Sequence, residues 1–173
     1  ANHQRSDDIS IIASAWYNVN SRIPRYIMRN NLPDFYLRIG GIPIWRISEL
    51  QKHRQKLDKG EQRQFLEQVH RDYARAWQYI GLCLSQQQDV CLFPSGSRGS
   101  MKMHVEGIQE SAAAYNAITS KPLLVIPISL FYGRKRHLRT PVTLRAGNAI
   151  ACRDRIDASQ AIGSLYELIK APF

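Results

Sequence analysis

The chain has 173 residues, 44% of them hydrophobic and 22% charged, an ordinary globular balance that fits one domain with a real core. No stretch reaches the ~18 apolar residues of a membrane-spanning helix, and no signal-peptide pattern is visible in these residues, so a spanning helix is excluded while peripheral attachment is not. Lys plus Arg number 24 against 14 Asp plus Glu, a formal charge of +10, which favours anionic partners: phosphorylated substrates, anionic lipid surfaces or nucleic acid.

In chain order, Ile9, Ile12, Ala13, Trp16 and Val19 recur at helical spacing, predicting a helix from Ser6 to about Val19 with Ser6 or Asp7 as its cap. Arg25–Met28 reads as a short strand. Residues 32–39 read as a short helix stopped by Gly40 and Gly41. Ile42–Arg46 reads as a strand, which Pro43 restricts to an edge or a bulge. The clearest helix is Glu61–Ile80, with a stripe of Phe65, Val69, Tyr73, Trp77 and Ile80 widened by Leu66 and Ala76. Asp89–Phe93 reads as a short buried strand, Ile108–Ile118 as a helix, Leu123–Leu130 and Pro141–Leu144 as strands, and Ile162–Ile169 as a last helix. Strands alternating with helices predict an α/β fold over residues 1–173, a single domain whose mixed, largely parallel sheet is flanked by helices. Cys83, Cys91 and Cys152 lack metal-like spacing and read as reduced core thiols.

Four constellations bear on chemistry. In Asn2-His3-Gln4-Arg5-Ser6-Asp7-Asp8, a helix beginning near Ser6 leaves His3 in the preceding turn and Asp8 in the first turn. Asp8 folding back onto one imidazole nitrogen would fix the tautomer and leave the other nitrogen as a base. In Phe93-Pro94-Ser95-Gly96-Ser97-Arg98-Gly99-Ser100, a strand leads into a turn whose backbone N–H groups, the hydroxyls of Ser95 and Ser97 and the Arg98 guanidinium suit a phosphate. Gly40–Arg46 is a strand ending in a second cation, Arg46. Val125-Ile126-Pro127-Ile128-Ser129 reads as core strand rather than site.

Taken in order, the four resemble the glycerolipid acyltransferases, the group of glycerol-3-phosphate and 1-acylglycerol-3-phosphate acyltransferases. That family carries N-H-x-x-x-x-D, G-x-x-F-I-x-R, F-P-E-G-T-R and an apolar V-P-like block. The counterparts here are Asn2-His3 with Asp8; Gly40, Ile44 and Arg46; Phe93–Arg98; and Ile126-Pro127-Ile128. Pro43 stands where the family usually has an aromatic residue, and Ser95 where it usually has Glu; the soluble plastid-type enzymes look similar to this chain at the latter position, with P-S-G-G-R.

The resemblance implies the fold of that family. It implies transfer of a fatty acyl group from acyl-CoA or acyl carrier protein to a glycerol-phosphate hydroxyl in phospholipid biosynthesis, with no cofactor beyond the thioester co-substrate. It makes His3 the general base and Asp8 its orienting partner, with Gly96 and Arg98 on the acceptor phosphate and Arg46 assisting. An apolar groove for the donor chain, lined by Ile12 and Trp16 and by the Phe65–Ile80 stripe, is a further expectation, although core packing accounts for both stripes as well. The basic surface and lipid products imply peripheral attachment to an anionic membrane on the cytoplasmic side. The alternative implied by Ser95 is a catalytically silent lipid- or phosphate-binding domain of the same fold. Nucleic-acid binding is disfavoured, because the basic residues are dispersed and carry no helix-turn-helix, zinc or RNA-binding signature. A start already inside the His3 motif predicts that this sequence is a fragment with residues upstream.

Overall fold

The computed structural model describes residues 7–29, 35–45, 47–95, 102–133 and 141–170. Helix α1 (Asp8–Asn20) begins at Asp7, whose side chain makes no capping bond, and ends at Ser21 in the left-handed region (φ 55°), whose N–H returns to Tyr17 O. Strand β1 (Arg25–Arg29) follows, then α2 (Phe35–Arg38), Gly40 at φ 95°, and β2 (Gly41–Ile44). Helix α3 (Ile47–Arg54) leads to α4 (Lys59–Ser85), which opens with a reciprocal capping box between Asp58 and Glu61. Strand β3 (Val90–Cys91), α5 (Glu106–Thr119), β4 (Leu123–Val125), β5 (Ile128–Tyr132), β6 (Val142–Ala146), β7 (Ile150–Cys152) and α6 (Arg155–Lys170) complete the order.

The class is mixed α/β, as alternating periods predict, but the described strands do not form one sheet. Strands β2-β1-β3 make a three-stranded parallel sheet, while β4 pairs with β7 and β5 with β6 as two antiparallel pairs. The continuous apolar run Leu123–Leu130, expected as one strand, is two. Pro127 lacks an N–H for a ladder, and the chain changes partner there, with Val125 opposite Ile150 and Ile128 opposite Ala146. Pro43 sits in β2 on the sheet's open edge, opposite Met28 in an unbroken register, so of the two options it left, edge is the outcome.

Three apolar clusters hold the elements. Trp77 and Ile80 of α4 serve the sheet, packing with Ile27 and Ile42. Ile12, Tyr26, Met28, Phe93 and Leu130 join α1 to β1, β5 and the end of β3. Ile108, Ala112, Cys152, Ala158, Ala161 and Ile162 join α5 to α6. Gly81 lets α4 and α5 cross closely, since a Cβ there would lie 2.7 Å from Ala114 O. Among the described residues no helix is long and apolar enough to cross a membrane.

Candidate active site

Because β1, β2 and β3 are parallel, their carboxyl ends share one edge of the sheet, where open α/β folds place ligands. The described chain brings Arg29, Trp45 and Ser95 to or just beyond those ends. Arg46, Gly96, Ser97 and Arg98, predicted for the acceptor phosphate, lie outside the described residues, as does His3. Ser95 is buried, 6% exposed.

Asp8 stands in the first turn of α1, as expected, and is fully buried. The Tyr132 hydroxyl, from the last residue of β5, donates a hydrogen bond to Asp8 Oδ1. A buried carboxylate stays ionised only where such donors replace water. Next to it, the Tyr26 hydroxyl donates to Ile9 O at 3.1 Å, tying the start of α1 to β1. Burial pushes the Tyr26 hydroxyl far above the usual phenol range, so it remains a neutral donor.

Two residues of this region carry no motif signal. Tyr132 has its partner 124 positions away, and nothing local marks it. Arg29 closes β1 beside Glu49 of α3, with Nη1 to Oε1 at 4.0 Å; the second carboxylate oxygen, Oε2, is buried with no hydrogen-bond partner among the described residues. The strand pattern reaches Met28 and stops one residue short of this cation.

Behind the α1–β3 seam lies an apolar cavity of about 170 Å³. Ile12, Trp16, Leu84, Asp89, Pro94 and Ile128 are among the residues that line it. Ile12 and Trp16, two of the residues named for the expected groove, are thus among those lining a cavity. The Phe65–Ile80 stripe contributes nothing to it: Trp77 and Ile80 are core, and Phe65 packs on His53 and Trp45 at centroid distances of 4.7 and 5.4 Å. The cavity also explains why β3, expected buried, is only half-buried, since Val90 and Cys91 form part of its wall. Ile126 and Pro127, expected to be core strand, line it too. Burial raises the Cys91 thiol, which keeps it protonated and apolar rather than nucleophilic at neutral pH. Cys83 and Cys152 are free and buried, as core thiols should be. Among the described residues no group of three or more His, Cys, Asp or Glu side chains is placed to hold a metal.

No family model matches the chain, and a search of curated proteins and of solved structures returns no significant match.

Proposed function

We propose that the chain is one α/β domain of the glycerolipid acyltransferase type, which moves a fatty acyl group from acyl-CoA or acyl carrier protein to a hydroxyl of glycerol-3-phosphate or 1-acylglycerol-3-phosphate. The observation that carries the reading is a juxtaposition. A fully buried Asp8, held by Tyr132, sits one helical turn before Ile12, which lines an apolar cavity, and Pro94, which precedes Ser95 at the described start of the segment read as phosphate-binding, lines the same cavity. A charge-orienting carboxylate, an anion-type turn and an apolar slot are what acyl transfer to a phosphorylated alcohol requires.

In this mechanism neutral His3, oriented by Asp8, accepts the acceptor hydroxyl's proton as its oxygen bonds to the thioester carbonyl carbon. The carbon–sulfur bond then breaks and the proton passes from His3 to the departing thiolate. Ser95, Gly96, Ser97 and Arg98 hold the acceptor phosphate and Arg46 assists, Arg98 gripping two oxygens at once. The basic surface keeps the protein against the cytoplasmic face of an anionic membrane, where the acyl products belong.

A second reading rests on Ser95, a buried hydroxyl where the resembled family has a carboxylate: a silent domain that binds lipid or phosphate. Labelled acyl donor with each acceptor separates the two. Transfer by the natural chain that falls about 10²-fold or more in His3→Ala, with Arg98→Lys raising KM for the acceptor and not the donor, supports the enzyme. Acceptor binding without any transfer supports the silent domain.

A further inference from the structure

Strand β2 borders the parallel sheet formed by the described residues, and its pairing to β1 decides which backbone groups it turns outward. The Tyr26 N–H donates to Gly40 O at 3.2 Å. Tyr26 stands opposite Gly41, and the register runs unbroken to Arg29 and Ile44. The alternation of a parallel ladder then points the N–H groups of Ile42 and Ile44 at β1 and leaves Gly41, Pro43 and Trp45 facing away from it. Pro43 has no N–H, so the middle one of these outward positions lacks its donor.

A groove of about 390 Å³ adjoins the strand. Pro43, Ile44 and Trp45 line it from one side and Tyr73 and Tyr79 of α4 from the other. A strand added beside β2 would cover apolar and aromatic surface as well as pair the outer row, so this edge invites association. Native sheets blunt such edges with charge, a bulge, a covering element, a short strand or a proline. Charge does not serve here, since Gly41, Ile42, Pro43 and Ile44 carry none and the charged residues lining the groove, Asp72 and Arg75, are of opposite sign. A bulge does not serve either, because the register is unbroken. Helix α2 covers the start of the strand, where a Cβ on Gly41 would lie 2.6 Å from Tyr36 O, but Pro43 is exposed. Besides the shortness of the strand, what remains is Pro43.

We infer that Pro43 closes this edge of the sheet to the β2 strand of a second copy of the chain. The inference does not depend on the acyl-transfer reading, whose chemistry gives Pro43 no role. An incoming antiparallel strand would set a carbonyl opposite position 43, where it would lose water and gain no donor, and two-fold symmetry repeats the loss in the other copy. The proline takes nothing from the monomer's own ladder, because the missing N–H belongs to the outer row. Nor does it belong to any of the three apolar clusters, so replacing it should leave the fold intact.

The test compares the natural chain with Pro43→Val by sedimentation equilibrium and, on the same samples, by amide exchange at each residue over a range of protein concentration. Each regained backbone bond should tighten association about fivefold, the equivalent of ~1 kcal/mol, and the symmetric pair regains one in each copy, so Pro43→Val should associate about 25-fold more tightly than the natural chain. Exchange should slow with concentration at Gly41, position 43 and Trp45, which face outward, and not at Ile42 and Ile44, whose N–H groups already face β1. That alternation separates strand pairing from general aggregation. If Pro43→Val precipitates, Pro43→Ala restores the same N–H with less apolar surface and should show the same alternation. Association no tighter than that of the natural chain in the soluble variant overturns the inference. So does association whose slowed amides do not alternate along β2, and so does a natural chain that already protects Gly41 and Trp45 as its concentration rises.

Discussion

At the scale of single residues, the pair that decides most is Asp8 and Tyr132. A carboxylate with no exposure is costly to desolvate unless donors surround it, and removing one donor leaves the charge under-satisfied. Tyr132→Phe deletes only the hydroxyl. Hydrogen bonds to charged groups are worth ~1.5–3 kcal/mol, so the variant should lose about that much stability in urea unfolding. On the proposed mechanism it should also lose of order tenfold or more in kcat, with both KM values held, because His3 then leans on a less well-fixed carboxylate. A stability loss with unchanged kcat would assign Tyr132 to the fold alone. The place of Asp8 in the first turn of α1 was legible in the sequence, because the helical stripe of Ile9, Ile12, Ala13 and Trp16 starts directly after it. Tyr132 was not, because a hydrogen bond to a partner 124 positions away leaves no local pattern. Arg29 escaped for a related reason: its role as a strand-end cation appears only once β1 is known to lie between β2 and β3.

At the scale of elements, glycine positions in two helices give opposite expectations for the same substitution. Gly81→Ala places a methyl 2.7 Å from the backbone oxygen of Ala114, so α4 and α5 must separate. Overpacking of this kind costs ~1–3 kcal/mol, which outweighs the ~1 kcal/mol gained from helix propensity. Gly163, in the middle of α6, has nothing within 4 Å of an added Cβ, so Gly163→Ala should raise the urea midpoint by the equivalent of ~0.5–1 kcal/mol. Equal shifts in both variants would contradict the close α4–α5 crossing. Helix α4 was readable from its stripe, though it starts at Lys59 and runs on to Ser85 beyond the expected Ile80. Helix α6 begins at Arg155, seven residues before the expected Ile162, since the buried positions of its first turns are Ala158 and Ala161, small side chains that mark a stripe only weakly. The pattern gave no sign of α3, whose eight residues are mostly polar; the Trp45–His53–Phe65 ring cluster anchors it from outside. Strand β7 is three residues long and defined by its pairing to β4, which no periodicity within three residues can announce.

At the scale of the whole molecule, a charge of +10 spread over 173 residues acts at a distance rather than through one contact. Each basic side chain near an anionic bilayer contributes about 1 kcal/mol, screened beyond ~8–10 Å at physiological salt. Co-sedimentation with anionic vesicles should therefore fall steeply between low and high salt and be absent with neutral vesicles. Equal binding to both vesicle types would mean that apolar insertion, not charge, makes the attachment. The hydrogen bond from Tyr132 to Asp8 also bears on the order in which the molecule comes together. Closing a chain segment of 124 residues costs about 4 kcal/mol in the length-dependent term of loop entropy alone, whereas α4 and α5 meet through a far shorter connection. Helices and the parallel sheet can form while Asp8 still lacks this partner, and on a ribosome the carboxylate must wait until residue 132 has left the exit tunnel. A nascent chain can therefore be helical and still hold no assembled site.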